Sequence, residues 1–201
     1  MPGDAVLRAL RHVWLTLEPL DLPMAVMGGI AMATWKSVRA TRDVDLLLAA
    51  QHRDPNEVLA RLRAAGVRPK REPPTTTLGE LDMVQLLYEP PDTFVDLQID
   101  LFLARSPYHL RALERRVFTR LAGLDVEIAV LACEDLILHK LLAGRIIDRS
   151  DAAALLRANR RSLDLDYLAR GTRSLKLTRE FTEAWSEALP DEPCPAIDDP
   201  G

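Results

Sequence analysis

Two aspartates near the start of an apolar run could hold a divalent cation. Asp43 and Asp45 open the run DVDLLL at residues 43–48. In a β-strand, side chains two residues apart leave the same face, so these carboxylates would lie together. Adjacent carboxylates repel each other unless a proton or a cation intervenes, and Mg²⁺ binds such oxygens while taking further ligands from water or phosphate. The alternative is one aspartate that caps a loop and one in solvent. The apolar continuation of the run favours the cation site.

A third carboxylate is expected from a neighbouring strand. Residues 94–103 alternate polar and apolar side chains, so that Asp96, Gln98 and Asp100 share one face. We expect Asp100 to be the third ligand, because it precedes the apolar run Leu-Phe-Leu as Asp45 precedes its own. Asp96 is the reserve candidate, and its alternative is a polar position on the open face.

A pair of glycines precedes the first two aspartates. Gly28 and Gly29 follow a short apolar strand at residues 24–27, and thirteen residues separate Gly29 from Asp43. Glycine lets a backbone approach a ligand closely, and the N–H groups of a helix that begins here would face phosphate oxygens.

Three polar residues lie directly before the aspartates and are candidates for phosphate binding. They are Arg39, Thr41 and Arg42. A guanidinium group can donate two parallel hydrogen bonds to phosphate oxygens. A surface position in a loop is the alternative for each.

The elements that must position these residues mix strands and helices first and contain helices alone at the end. Helices are predicted at 5–17, 30–36, 55–65, 107–113, 134–143, 148–159, 164–170 and 178–188, strands at 24–27, 43–48, 83–88, 94–103, near 117 and at 126–130, and a loop at 68–79. This order predicts an α/β (α+β) fold with a small mixed sheet, flanking helices and a helical C-terminal lobe. We expect a core domain over 1–131, the lobe over 132–189 and a disordered tail over 190–201.

The composition is that of an ordinary globular protein. Of the 201 residues, 48% are hydrophobic and 28% charged, and the net charge of −4 offers no basic field for nucleic acid. The two cysteines form neither a metal spacing nor a disulfide framework. We expect no secretion signal, and no apolar run approaches the roughly 20 residues that span a bilayer. We therefore expect no membrane partner and a cytoplasmic location.

Three stretches of the chain together resemble a known superfamily. They are the segment from Gly28-Gly29 to Asp43-Val44-Asp45, the run QIDLFL at 98–103 and the run EDLILHKLLA at 134–143. Their order resembles the DNA polymerase beta-like nucleotidyltransferases, and more narrowly the bacterial nucleotidyltransferase-like proteins that include the abortive-infection toxins. The resemblance extends from about residue 7 to 168.

The resemblance implies an enzyme that moves a nucleoside monophosphate from a nucleoside triphosphate, by default ATP, to a hydroxyl group. It implies two cations, Mg²⁺ or Mn²⁺, on Asp43, Asp45 and Asp100, with the triphosphate at Gly28-Gly29. The acceptor could be tRNA, a protein or a small molecule, and an antitoxin could be a partner.

The resemblance also draws attention to Lys140, because similar proteins place a lysine here near the nucleotide. A lysine that extends from the edge of a buried helix is the alternative. Asp148 and Asp151 could reach the site in similar proteins, but their spacing favours a helix N-cap with a supporting acid.

Two other interpretations compete with an active transferase. Many active relatives carry serine where this chain has Gly29. The replacement of serine by glycine would suit a nucleotide-binding module without transfer activity in a toxin–antitoxin or regulatory complex. A metal-dependent phosphohydrolase could use the same acids, but the sequence identifies no pocket for its ester substrate.

Overall fold

The computed structural model describes residues 3–50, 53–78 and 81–197, which form eight strands, eight α-helices and one short 3₁₀-helix at Glu18–Leu20. In chain order they are α1 (Asp4–Leu17), β1 (Met24–Met27), α2 (Gly28–Thr34), β2 (Asp43–Leu48), α3 (Pro55–Ala64), β3 (Arg68–Pro69), β4 (Thr75–Leu78), β5 (Leu81–Tyr88), β6 (Leu97–Leu103), α4 (Pro107–Glu114), β7 (Val117–Thr119), β8 (Ile128–Val130), α5 (Cys133–Ala143), α6 (Ile146–Asn159), α7 (Leu165–Ser174) and α8 (Thr178–Ala188). The predicted α/β class with a mixed sheet is confirmed. The chain packs as two compact units, one from the N-terminal residues to Ala31 with Val38–Leu131, the other from Met32–Ser37 and the residues after Leu131.

The first unit contains one mixed sheet in the order β3-β5-β6-β2-β1-β8-β7, with β4 also paired to β5. The pairs β2–β6 and β1–β8 are parallel, and the other described pairs are antiparallel. In the β2–β6 pair, Asp43 lies opposite Gln98 and Asp45 opposite Asp100. The sheet therefore brings the predicted carboxylates from distant parts of the chain to one place.

The apolar side chains of strand β2 are packed in the core. Val44, Leu46, Leu47 and Leu48 are fully buried, while Asp43 and Asp45 are half-buried. Helix α1 contacts β2 and β6 with a buried stripe at helical spacing. The alternation at the start of β2 leaves two polar positions on the open face, and the apolar end fixes the register.

The second unit is helical. Helix α5 is buried along nearly its whole length and packs against α6 and α7, while α6 packs against α8. Phe181 and Trp185 form part of the core on α8, each 1% exposed. None of the helices in the described part of the chain has the length and apolar character that crossing a bilayer requires.

The structure differs from the sequence predictions at several boundaries. The predicted loop at 68–79 contains β3 and β4, because Thr75, Thr76 and Thr77 pair with β5; residue 79 lies outside the described residues. Helix α2 begins at Gly28 rather than at residue 30, and β6 begins at Leu97 rather than at residue 94.

The predicted disordered tail is described only in part. Residues 190–197 follow α8 without a helix or strand, and the carbonyl of Glu192 accepts a hydrogen bond from the indole of Trp185 at 3.1 Å. Residues 198–201 lie outside the described residues.

Candidate active site

Three carboxylates from two neighbouring strands meet on one face of the sheet. Asp43 and Asp45 extend from β2 and Asp100 from β6, and one oxygen from each lies within 4.8 Å of the others. All three side chains are half-buried. Distances of this size allow a common cation to be held between them, because oxygen ligands surround Mg²⁺ at about 2.1 Å.

Gly28 makes room for the carboxylate of Asp45. It follows β1 directly with a φ of 63°, in the left-handed region that favours glycine. A Cβ atom at this position would lie 1.8 Å from Oδ2 of Asp45. Any larger residue would therefore displace a member of the cluster, which gives Gly28 a structural role in addition to the predicted one toward phosphate.

Thr41 orients Asp43. Its side chain is buried, and its hydroxyl donates a hydrogen bond of 2.6 Å to Oδ1 of Asp43. A Cβ atom at Gly29 would lie 2.7 Å from that hydroxyl oxygen and 2.8 Å from the Cβ of Thr41. The absence of a side chain at position 29 thus lets Thr41 reach Asp43. The sequence singled out Thr41 for phosphate binding but gave no sign of this contact.

Side-chain amides surround Asp100. The amide nitrogen of Gln98 lies 3.0 Å from both carboxylate oxygens, and that of Gln85 lies 3.4 Å from Oδ1. Burial raises the pKa of Asp100 above its ordinary value, and the charge of Asp43 adds to this; the two amides and Lys70 act in the opposite direction. Gln85 could not be found from sequence, because it faces Asp100 only through the β5–β6 register.

The other candidates of this unit, Arg39, Arg42 and Asp96, differ in their exposure and contacts. Arg39 is half-buried and donates to the carbonyl of Ala40 at 3.2 Å, and Arg42 is exposed. Asp96, the reserve ligand, precedes β6 and accepts a 2.6 Å hydrogen bond from the exposed Arg68. The phosphate-binding roles of Arg39 and Arg42 stay predictions.

Lys140 belongs to a buried ion cluster in the helical unit. It is 4% exposed, and its Nζ lies 2.9 Å from Asp148 and 2.8 Å from Asp151. The expected N-cap role of Asp148 is wrong, because α6 begins at Ile146 with Arg145 at the cap, and Asp148 turns inward to Lys140 and Arg145. The alternative for Lys140, a side chain that extends from the edge of a buried helix, does not hold either, because the side chain is buried. Its role toward a nucleotide stays a prediction.

Comparison with known proteins decides the family. Residues 8–194 match the family described as "Nucleotidyl transferase AbiEii toxin, Type IV TA system". The chain belongs to this family. The predicted nucleotidyltransferase class and the resemblance to abortive-infection toxins are thereby confirmed. A search of curated proteins gave no match to this AbiEii-family chain.

Solved structures share the fold of this AbiEii-family protein. ANT(2″)-Ia in complex with adenylyl-2″-tobramycin superposes with a TM-score of 0.54 and 15% identity, covering 86% of this chain and 98% of its own. An antigenic nucleotidyltransferase-like protein from Paracoccidioides brasiliensis gives a TM-score of 0.50 and 18% identity, covering 93% of each chain. At such identities the similarity establishes the fold alone.

Proposed function

We propose that the protein transfers a nucleoside monophosphate from a nucleoside triphosphate, with ATP as the first candidate, to a hydroxyl group, as the toxin of a type IV toxin–antitoxin system. The single observation that supports this most strongly is the cluster of Asp43, Asp45 and Asp100 within 4.8 Å in a chain of the nucleotidyl transferase toxin family.

The residues of the cluster fit a divalent cation. Three acidic groups converge, and the donors described for Asp43 and Asp100 are neutral, a hydroxyl and two amides. Neutral donors orient carboxylates without cancelling their charge, so a cation is the natural counter-charge. Mg²⁺ or Mn²⁺ on these residues would neutralise the triphosphate and stabilise the departing pyrophosphate.

The chain's own groups would then orient the reactants and move one proton. Asp43 and Asp45 sit beside the Gly28-Gly29 turn, where we expect the triphosphate. Asp100 is the candidate that accepts the proton of the acceptor hydroxyl, because it is the carboxylate of the cluster that comes from the neighbouring strand β6. Arg39 and Arg42, which lie directly before the first two aspartates along the chain, are proposed to contact the nucleotide.

The candidate acceptors are the hydroxyl groups of RNA such as tRNA, of a protein and of a small molecule. The family description supports a toxin and hence an antitoxin in the same system. The structure of ANT(2″)-Ia is a complex of that protein with adenylyl-2″-tobramycin. The cytoplasmic location expected from the sequence stays a prediction.

Label transfer from radioactive triphosphates tests the proposal. The protein is incubated with each of the four common triphosphates, Mg²⁺ or Mn²⁺, and in turn cellular RNA, cellular protein and aminoglycosides. We expect transfer by the parent and by Asp96→Asn, and a loss of at least about 100-fold in Asp43→Asn and Asp45→Asn, since losing a ligand exceeds the cost of losing an outer partner. Transfer that persists in the two cluster variants contradicts the proposed site.

The binding-module alternative has a distinct outcome in the same experiment. It predicts that nucleotide with metal raises the melting temperature while no label moves. Gly29, which first suggested this alternative, is explained by the space that Thr41 needs. Its lack of a serine hydroxyl therefore does not by itself favour an inactive protein.

A further inference from the structure

A chain of hydrogen bonds leads from an exposed lysine to the carboxylate cluster. The Nζ atom of Lys70 lies 2.6 Å from Oε1 of Gln98, and Nε2 of Gln98 lies 3.0 Å from each oxygen of Asp100. Lys70 is exposed, while Gln98 and Asp100 are half-buried. The three residues thus form a path from the surface to the third carboxylate of the site.

The chemistry of Lys70 fixes the orientation of the Gln98 amide. An ammonium group has three donors and no acceptor, so it can bond only to the oxygen of the amide. The NH₂ group of Gln98 is then turned to the opposite side, where it donates to Asp100. In the reverse orientation the amide oxygen would face a carboxylate, and two acceptors would oppose each other.

The sheet register places these residues beside one another on neighbouring strands. The backbone N–H of Lys70 donates to the carbonyl of Gln85 at 2.9 Å, and Gln85 lies opposite Asp100. Gln98 lies two residues before Asp100 on β6 and therefore shares its face. Backbone pairing, and not only flexible side chains, brings the residues of the path together.

We propose that Lys70 and Gln98 are positioning residues that hold the Asp100 carboxylate in the orientation the cation cluster needs, with Lys70 acting through the Gln98 amide. This inference rests on the proposed function for its catalytic consequence. Outer partners of metal-binding carboxylates set their orientation, and their loss typically costs about 10–100-fold in metal affinity or activity.

Three substitutions separate this role from a general effect of surface charge. Gln98→Leu removes the amide at similar size, Lys70→Met removes the ammonium and keeps the length, and the double variant carries both. Arg68→Met is the matched control, because Arg68 lies two residues before Lys70 but pairs with Asp96 instead of with Gln98 or Asp100. Gln98→Asn withdraws the amide by one carbon and serves as a second, milder test of position.

Two readouts are measured for each variant. The first is the Mn²⁺ affinity of the protein without nucleotide, from the metal dependence of its melting temperature; the second is the kcat and KM of label transfer. We expect Gln98→Leu to weaken Mn²⁺ binding and lower kcat by about 10–100-fold, and Gln98→Asn and Lys70→Met to do so by about 10-fold. The KM for the triphosphate and the metal-free melting temperature should stay near those of the parent.

The double variant decides whether Lys70 acts through Gln98. If it does, Lys70→Met has no further effect once Gln98 is leucine, so that the double variant equals Gln98→Leu. Multiplying effects, an equal loss in Arg68→Met, or unchanged Mn²⁺ affinity in Gln98→Leu would each overturn the inference. A parent that binds Mn²⁺ but transfers no label overturns the proposed function alone, since the affinity readout still tests the positioning role.

Discussion

Asp45 on β2 lies directly opposite Asp100 on the parallel strand β6, and both side chains are half-buried on the same face. Like charges in opposite positions of neighbouring strands destabilise a sheet. The cluster is therefore expected to lower the stability of the metal-free protein, and a bound cation should reverse that effect. Both the stability of the metal-free protein and its response to a metal ion should therefore depend on this pair of aspartates.

The substitution Asp45→Asn should remove this repulsion. We expect the free energy of unfolding of the metal-free protein to rise by about 0.2–1 kcal/mol, the usual size of a cross-strand pair effect. Mg²⁺ or Mn²⁺ should raise the melting temperature of the parent but not of the variant. Denaturant unfolding with and without metal measures both, and a variant that the metal stabilises as strongly as the parent would contradict the cation site.

Replacing Gly28 by alanine should displace the Asp45 carboxylate. The new Cβ atom would lie 1.8 Å from Oδ2 of Asp45 at a φ of 63°. Gly66 is a matched control, because its φ is 82° but a Cβ atom there meets nothing within 4 Å. Both alanine variants should lose about 1–2 kcal/mol through the left-handed backbone. Only Gly28→Ala should also lose label transfer, and equal activity in the two variants would refute the steric explanation.

The hydroxyl of Thr41 should matter for activity through Asp43. Thr41→Val keeps the shape of the side chain and removes the hydrogen bond of 2.6 Å to Oδ1. We expect kcat to fall by about 10–100-fold, as for other partners of metal-binding carboxylates. Thr41→Ser keeps the hydroxyl and should retain most of the activity in the same transfer assay. A serine variant as impaired as the valine variant would assign the effect to packing.

The buried ion cluster of the helical unit should make stability depend on acid pH. Burial acts to raise the pKa of Asp148, but the hydrogen bonds and charges of Arg145 and Lys140 outweigh it, so the pKa lies below its ordinary value. A lowered folded-state pKa adds stability above the unfolded-state pKa of about 3.9, and this stability is lost as the pH falls through the folded-state value.

The variant Asp148→Asn should therefore be less stable at pH 7 by about 3 kcal/mol, because Lys140 stays buried with one partner fewer. Its free energy of unfolding should also fall less steeply than that of the parent below about pH 4. Denaturant unfolding between pH 7 and pH 2.5 measures both. Asp125→Asn, which breaks the exposed pair with Arg11, should leave the curve nearly unchanged.

The sequence was informative where the structure depends on local pattern. Strand β2 and the common face of Asp43 and Asp45 follow from alternation and an apolar run, both of which are visible in six residues. The choice of Asp100 followed from the same pattern on β6.

The rest depends on contacts that the local sequence pattern does not reveal. The sequence predicts a loop at residues 68–79, because prolines precede the threonines of β4 and favour turns. The threonines are ordered by their pairing with β5, which the sequence pattern does not show. The spacing of Asp148 and Asp151 imitates a cap, whereas both side chains turn to Lys140 on another helix. The contact between Thr41 and Asp43 depends on the empty position at Gly29, which sequence spacing does not reveal.

The parallel pairing of β2 with β6 also has a consequence for the synthesis of the protein. Strands β3, β4 and β5 lie between them along the chain, so the ribosome must pass Leu103 before β6 can dock beside β2. A nascent chain that carries only Asp43 and Asp45 lacks the third acidic group. The proposed cation site of this toxin-family member can therefore form only after Leu103 has emerged from the ribosome and β6 has paired with β2.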